Sequence, residues 1–114
     1  GKTPLVLMER YGDPTVRKSA CDAFLNTNLD SIFRGRAADH LIIGGCATDY
    51  CVDTTIRRAL GLGYRVSVAS DGHTTANRSH LSAEQIIQHH NAIWADFIAP
   101  NGPAIVLPSM QIEP

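Results

Sequence analysis

The sequence predicts an α/β domain in which helices lie on the faces of a mostly parallel β-sheet. Two observations predict this class: short apolar β-rich runs alternate with stretches of helical periodicity, and glycine, proline or serine separates them. The resulting order is strand, helix, strand, helix, strand, helix, strand, which is typical of parallel sheets. No repeat, low-complexity stretch or linker divides the 114 residues. We therefore expect a single domain over residues 1–114.

Two strands and a short helix are predicted in the first part of the chain. Residues 5–8 and residues 41–43 are short apolar runs, and each predicts a strand. The second run ends in glycine, a residue type that often interrupts a strand. Residues 28–33 follow Thr27 and predict a short helix between the two strands.

A longer helix is predicted after the second strand. Its apolar face consists of five residues at helical spacing: Val52, Thr55, Ile56, Ala59 and Leu60. Asp53 and Arg57 form an i, i+4 pair on another face. Thr48 is placed to cap the N-terminus of this helix, and Gly61 and Gly63 are placed to end it.

A strand, a helix and a final strand are predicted in the last part of the chain. The strands are residues 66–68 and residues 104–107. Ser82 and Gln85 form a capping box at the start of the helix between them. The helix is indicated by six residues at helical spacing: Ile86, Ile87, His90, Ile93, Trp94 and Phe97.

The composition excludes several classes of partner. Ten Lys and Arg against eleven Asp and Glu give a net charge of −1 without a basic stripe, so neither nucleic acid nor a membrane is an expected partner. The longest apolar runs are four or five residues, far fewer than the roughly 20 that span a bilayer. Cys21, Cys46 and Cys51 are an odd number of cysteines without zinc-type spacing, which favours a reducing, cytoplasmic location. A small-molecule substrate fits this composition best.

Residues 44–51 connect a strand end to a helix start and are the first candidate for chemistry. Ligands of parallel sheets bind beyond the carboxyl ends of the strands, a rule that also indicates residues 70–73. Cys51 falls in the first turn of the helix, where the macrodipole favours the thiolate form and backbone N–H groups are available to an oxyanion. A cysteine at this place is also compatible with a small packing residue.

Lys18 is the second candidate, because no amphipathic pattern explains a lysine within the mixed stretch of residues 16–24. A lysine close to a thiolate would stabilise it and relay a proton. The ordinary alternative is a solvated lysine on the surface. The residue types alone leave both interpretations open.

Two separated segments carry a resemblance to a known family. One is residues 45–52, Gly-Cys-Ala-Thr-Asp-Tyr-Cys-Val, and the other is Lys18 with the residues that follow it, Ser19, Ala23 and Phe24. In this order and spacing the chain resembles the isochorismatase-like cysteine hydrolases, the superfamily that includes nicotinamidases and N-carbamoylsarcosine amidases. The resemblance extends from about residue 16 to residue 107. It implies a Rossmann-like, three-layer α/β/α fold.

The resemblance implies a catalytic triad of Asp, Lys and Cys. Cys51 matches the nucleophile and Lys18 matches the lysine, while the backbone N–H groups of Ala47 and Cys51 match the oxyanion hole. A cis peptide bond is implied between Cys46 and Ala47. The family's Asp lies at the end of the first strand, well before the lysine, and Asp13 does not lie in the matching motif. We therefore expect an N-terminally incomplete domain that lacks the Asp and the strand carrying it.

The resemblance also implies the reaction. Cys51 is similar to the thiol nucleophiles that cleave C–N bonds of small molecules through a thioester. Phe24 and Tyr50 are candidates to line the substrate pocket, or they simply pack. No cofactor is expected, and no metal either, because the histidines of the second half lack ligand spacing. These are His73, His80, His89 and His90.

Two alternatives to an intact hydrolase stay open. One is a catalytically incomplete fragment or pseudoenzyme that binds or assembles, and the other is a thiol redox protein that uses Cys46 and Cys51. The spacing of this pair is not Cys-x-x-Cys. A sheet that lacks its first strands leaves an edge with unpaired N–H and C=O groups. We therefore expect a homo-oligomer, or pairing with a missing N-terminal segment.

Overall fold

The computed structural model describes the backbone of residues 5–9 and, with their side chains, residues 21–112. Its strands and helices follow one another in the predicted alternation, which confirms the predicted class. In chain order they are β1 (Leu5–Glu9), α1 (Leu29–Gly35), β2 (His40–Cys46), α2 (Asp53–Gly61), β3 (Arg65–Thr74), α3 (Ala83–Ala95) and β4 (Ile105–Leu107). A π-helical turn, Thr48–Val52, leads into α2, and a 3₁₀ turn, Ser109–Gln111, follows β4.

The described strands form one sheet in the order β1-β2-β3-β4. β2, β3 and β4 are parallel, and β1 pairs antiparallel with β2, Leu7 lying opposite Ile43. The sheet is therefore mostly parallel, as predicted. The parallel pairs are connected through α2 and α3, which places the carboxyl ends of β2 and β3 next to each other.

The hydrophobic core lies on one face of the sheet. Leu41 and Ile43 of β2 pair in register with Val66 and Val68 of β3, and all four side chains are fully buried. Side chains from all three helices complete the cluster: Leu29 and Phe33 from α1, Ile56, Ala59 and Leu60 from α2, and Trp94 from α3. Burying one such large apolar side chain stabilises a fold by about 1.5–3 kcal/mol. The core therefore fixes where α2 begins relative to the sheet.

The ends of α2 and α3 follow the predicted signals closely. α2 ends at Gly61, and Gly63 adopts a φ of +94°, which favours glycine. α3 begins with the predicted capping box, in which Ser82 accepts from the backbone N–H of Gln85 at 3.1 Å and the Gln85 side chain accepts from the backbone N–H of Ser82 at 3.0 Å. No helix among the described residues is long and apolar enough to cross a membrane.

Two glycines allow the ends of β2 and β3 to approach each other. The register between these strands shifts between Ile43 and Gly45. A Cβ on Gly44 would lie 2.7 Å from the carbonyl oxygen of Gly72, a distance that no side chain tolerates. β3 continues to Thr74, well beyond the predicted residues 66–68, because its pairing resumes after the shift and joins Cys46 to Thr74.

Candidate active site

The segment that carries Cys51 is a tight turn directly after β2. We call residues Thr48–Val52 the Cys51 turn. The carbonyl oxygen of Ala47 accepts from the backbone N–H groups of Tyr50 and Val52, both at 3.1 Å, and this closes the turn. The peptide bond between Cys46 and Ala47 is cis, at the position where the resemblance implies one. Cys51 is half-buried and lies in the first turn of the helical segment that continues into α2.

Thr48, the first residue of the Cys51 turn, is fully buried and bonded to a histidine. Its Oγ lies 2.8 Å from Nδ1 of His73 in β3. The prediction that Thr48 caps the helix is therefore wrong, and no side chain of residues 21–112 caps α2. The tertiary structure explains this difference. The buried Nδ1 of His73 needs a hydrogen-bond partner more than the first N–H groups of the helix do, because those N–H groups can bond within the turn.

The hydrogen bonds around His73 also define its tautomer. Asn91 of α3 donates through Nδ2 to the Ser70 carbonyl at 3.2 Å, so its Oδ1 accepts from Nε2–H of His73 at 2.7 Å. Nδ1 of His73 then accepts from the Thr48 hydroxyl. Burial lowers the pKa of His73, and its ring packs edge-on against Trp94 at 5.0 Å between ring centres. We call Thr48, His73 and Asn91 the His73 network.

Asp49, the second residue of the Cys51 turn, is held by the segment after β3. It accepts from the Thr75 hydroxyl at 2.7 Å and from Nε and Nη2 of Arg78, both at 3.0 Å. Nη2 of Arg78 also donates to Thr75 at 3.0 Å. The Arg78 guanidinium lowers the pKa of Asp49 to about 2. Two neighbouring residues of the Cys51 turn are therefore fixed from the carboxyl end of β3.

The two candidate pocket residues lie in different environments, since Tyr50 is exposed and Phe24 is buried. Tyr50 is 54% exposed and belongs to the Cys51 turn, and the Arg78 guanidinium lies 4.9 Å from its ring centre. Phe24 is buried in the core, where its ring packs 5.8 Å from Tyr64 and 6.4 Å from Phe33. The pocket role of both residues stays a prediction.

The segment that follows Lys18 is attached to the helix of Cys51. Lys18 itself and Asp13 lie outside the described residues. The hydroxyl of Thr55, in the first turn of α2, accepts from the backbone N–H of Ala23 and donates to the carbonyl oxygen of Cys21, both at 3.1 Å. The chain three residues after Lys18 is thus anchored one turn away from Cys51.

The sequence of this chain matches a known family. A sequence profile of the isochorismatase domain matches residues 5–95, which is most of the chain. The chain belongs to the isochorismatase domain family.

Two curated relatives of this isochorismatase domain are amide-cleaving enzymes by name. It is 52% identical over 46 residues to a nicotinamidase from Escherichia coli (strain K12), covering 40% of this chain and 22% of the nicotinamidase. It is 38% identical over 82 residues to the ureidoacrylate amidohydrolase RutB from Caulobacter segnis, covering 72% of this chain and 32% of RutB.

A solved structure of an isochorismatase family protein resembles most of this chain. It superposes with a TM-score of 0.76 at 41% sequence identity, covering 86% of this chain and 56% of that protein. The predicted isochorismatase-like fold is confirmed by this match. The chain spans about half the length of that structure, and smaller shares of the two curated relatives.

Several residues of the site were not found from the sequence. Arg78, Thr75 and Asn91 lie 26 to 43 residues from the turn residues they help to hold. No periodicity relates positions so far apart, and the one available signal is that loops after neighbouring parallel strands converge. That signal indicated residues 70–73 and thereby His73.

Asp71 binds the 3₁₀ turn that follows β4. It lies within β3 and accepts from the Ser109 backbone N–H at 2.8 Å and from the Ser109 hydroxyl at 3.0 Å. These bonds lower the pKa of Asp71 and attach the 3₁₀ turn to β3. Among residues 21–112, no three His, Cys, Asp or Glu side chains form a group that could hold a metal ion.

Proposed function

We propose that this isochorismatase domain is the nucleophile-bearing part of a cysteine amidohydrolase that cleaves a C–N bond in a small molecule. The observation that carries the proposal is the placement of Cys51, in the first turn of a helix at the carboxyl end of β2, within a turn held by its Thr48 and Asp49 side chains. The relatives named nicotinamidase and ureidoacrylate amidohydrolase support an amide-type substrate.

In the proposed reaction, the Cys51 thiolate adds to the amide carbon. The oxyanion that forms accepts hydrogen bonds from the backbone N–H groups of Ala47 and Cys51. Collapse of this intermediate breaks the C–N bond, and the amine leaves with a proton from the aspartate that the family resemblance implies. Water then attacks the thioester, releasing the carboxylic acid and restoring the thiol.

The proposal assigns Lys18 to the stabilisation of the thiolate and to proton relay. Cys21 lies three positions after Lys18, and a chain of three residues reaches at most about 11 Å. Cys21 is itself bonded through Thr55 to the first turn of α2. A lysine side chain adds further reach, so this anchoring supports a position of Lys18 close to Cys51.

Tyr50 is the proposed aromatic wall of the substrate site. Its ring is more than half exposed, although it neighbours Cys51 in sequence and belongs to the same turn. A planar amide or heteroaromatic ring stacks favourably on such a surface. The Arg78 guanidinium on this ring limits its rotation and keeps it in place.

Activity measurements on single variants test this proposal. For this assay the domain is fused to an N-terminal segment that carries an apolar strand ending in Asp. The release of ammonia or amine is then measured with a panel of small amides and ureido acids. Cys51→Ala and Lys18→Ala should each abolish hydrolysis, because loss of a positioned acid–base group alone lowers rates by about 10²–10⁴. Cys51→Ser keeps the shape of the side chain and the backbone N–H donors of the oxyanion hole. An inactive Cys51→Ser variant would therefore show that the reaction needs the thiol itself. Cys21→Ala is the matched control and should retain activity.

The unextended chain of 114 residues should be nearly inactive in the same assay. A Cys–Lys pair forms the thiolate but lacks the acid that protonates the leaving amine. Strong amide turnover by the unextended chain would show that another acid, Asp13 or Asp71, supplies this proton. Full activity of the extended Cys51→Ala variant would overturn the proposed nucleophile.

A further inference from the structure

Two side chains of α3 hold the Cys51 turn, one at each end. Asn91 acts at the first end, because it accepts from His73, which is also bonded to Thr48. Trp94 acts at the other end, where its Nε1–H donates at 2.8 Å to Oδ1 of Asp53, the residue directly after the turn. Residues three positions apart lie on the same face of a helix. The turn is therefore attached at both ends to one face of α3.

Trp94 is fully buried and contacts both of these attachments. Its ring packs edge-on against His73, with 5.0 Å between ring centres. A buried indole N–H needs an acceptor, and the Asp53 side chain, which is 18% exposed, supplies it. The backbone N–H of Asp53 donates to the carbonyl oxygens of Thr48 and Tyr50. A displacement of Asp53 would therefore also displace the end of the Cys51 turn.

Asp53 has a second partner, but that partner cannot replace Trp94. Nε of Arg57 donates to the same Oδ1 at 2.8 Å. Because Arg57 and Asp53 both belong to α2, this ion pair holds the side chain against its own helix and fixes nothing relative to the sheet. Among residues 21–112, the hydrogen bond from Trp94 is the side-chain contact that joins Asp53 to α3.

We propose that Trp94 is a positioning residue for Cys51, because its indole N–H, acting through Asp53, fixes where the thiol lies relative to the carboxyl end of β2. This role rests on the proposed function, in which Cys51 is the nucleophile. The thiol benefits from the helix N-terminus and from the backbone N–H donors only while the turn keeps its place. A displacement of about 1 Å in an active site costs up to about 10²-fold in rate.

Trp94 acts on the reaction without touching a substrate, because it is fully buried. Its loss should therefore lower kcat and leave KM almost unchanged, which is the pattern of an interaction that serves the reacting geometry and not binding. Loss of the exposed Tyr50 ring, the proposed wall of the substrate site, should instead raise KM. A residue that only stabilises the fold would change neither constant while the protein stays folded.

A double-mutant cycle in the extended domain of the amide assay tests the bond between Trp94 and Asp53. Trp94→Phe keeps an aromatic ring and removes the N–H, so it should lower kcat by about tenfold and change KM by less than about twofold. Asp53→Ala removes the acceptor, and adding Trp94→Phe to it should lower kcat no further. Arg57→Gln removes only the ion pair within α2 and is the matched control, which should keep wild-type activity.

Alkylation of Cys51 in the 114-residue chain tests the same role without hydrolysis. Trp94→Phe should slow the reaction of Cys51 with iodoacetamide by about threefold or more, because the displaced thiol loses part of the influence of the helix N-terminus. Cys21 should react as in the wild type. Ile86→Val also removes volume from the buried face of α3, so it controls for a looser core and should leave the Cys51 rate unchanged. Circular dichroism verifies that each variant folds.

NMR observes the bond directly and does not depend on the folding of Trp94→Phe. The chain contains one tryptophan, so its indole N–H gives a single resonance. This proton should exchange slowly with solvent in the wild type, and Asp53→Ala should speed its exchange. Arg57→Gln should leave it protected. An indole proton that Asp53→Ala leaves equally protected would overturn the positioning role.

The kinetic results separate the positioning role from the proposed function. Unchanged kcat and an unchanged Cys51 alkylation rate in folded Trp94→Phe would overturn the positioning role and leave the proposed function intact. The role is also overturned if Ile86→Val slows Cys51 as much as Trp94→Phe does, or if the two changes of the cycle add fully. Full activity of Cys51→Ala, by contrast, would overturn the proposed function itself.

Discussion

Asp49 shows how one carboxylate can hold the Cys51 turn in place. The side chain receives a hydroxyl and two guanidinium N–H groups and is mostly shielded from solvent, with 18% of its surface exposed. Charge-assisted bonds of this kind are about twice as strong as neutral ones. Asp49, two positions before the thiol, therefore ties the Cys51 turn to the loop after β3.

The Asp49 ion pair should contribute stability that acid removes. The folded pKa of Asp49 is about 2, below the ordinary value of 3.8, so the folded state favours the carboxylate. This contribution is fully present above about pH 4 and is lost as the pH falls towards 2. Asp49→Asn should lower the free energy of unfolding in urea by about 1–2 kcal/mol at pH 7 and by much less near pH 2.

Asp39→Asn is the matched control for this measurement. Asp39 lies 3.7 Å from Arg65, and the two side chains are 78% and 55% exposed. Exposed pairs of this kind contribute about 0–1 kcal/mol, so this variant should unfold almost like the wild type. If both variants lose the same stability at pH 7, the special role of Asp49 is refuted.

At the scale of elements, the His73 network joins the Cys51 turn to β3 and α3. Thr48 and His73 are almost completely buried, so an unpartnered atom there cannot turn to water. Neither the Thr48–His73 bond nor the His73–Asn91 bond follows from helical or strand periodicity. They arise because the sheet brings His73 opposite Gly45, directly before the turn.

Thr48→Val should destabilise the domain, because it keeps the shape of the side chain and leaves Nδ1 of His73 without its hydrogen-bond donor. The expected loss is about 1–3 kcal/mol of unfolding free energy, measured by urea denaturation. Thr48→Ser retains the hydroxyl and should recover most of that loss. A Thr48→Val variant as stable as Thr48→Ser would show that the bond to His73 contributes nothing.

The elements themselves were largely predictable, because their signals are local. The capping box of Ser82 and Gln85 and the glycine end of α2 depend on residues within one turn. The predicted cap at Thr48 failed for the opposite reason, since its partner His73 is distant in sequence. The length of β3 was underestimated because polar residues such as Asp71 continue the strand after its apolar core.

At the scale of the whole molecule, the sequence predicted the alternation of elements and a mostly parallel sheet. It did not indicate that β1 runs antiparallel to β2, because strand direction depends on the connection and not on composition. Nor did it indicate how deeply each residue is buried, since Ile93 and Phe97 share the helical spacing of fully buried Trp94 but are only half-buried. The burial of a helix residue depends on which other elements pack against it, and the periodicity of the sequence does not show this.

The candidate site was predictable only where a short motif carries it. Through residues 45–52 the family resemblance implied Cys51, Ala47 and the cis peptide bond, and of these the structure shows the cis bond. The side chains that hold this segment come from β3, α3 and the loop between them. They became visible only when the folded chain brought the ends of β2 and β3 together.

Cys51 is the proposed nucleophile of the folded chain, and the rate of alkylation at each cysteine tests this assignment. Cys21, Cys46 and Cys51 are all half-buried, so a difference in exposure does not decide the outcome. Iodoacetamide labelling near neutral pH, resolved by peptide mass spectrometry, should modify Cys51 fastest in the folded chain, and the three rates should converge in urea. Equal rates at the three cysteines in the folded chain would contradict the assignment of Cys51 as the nucleophile.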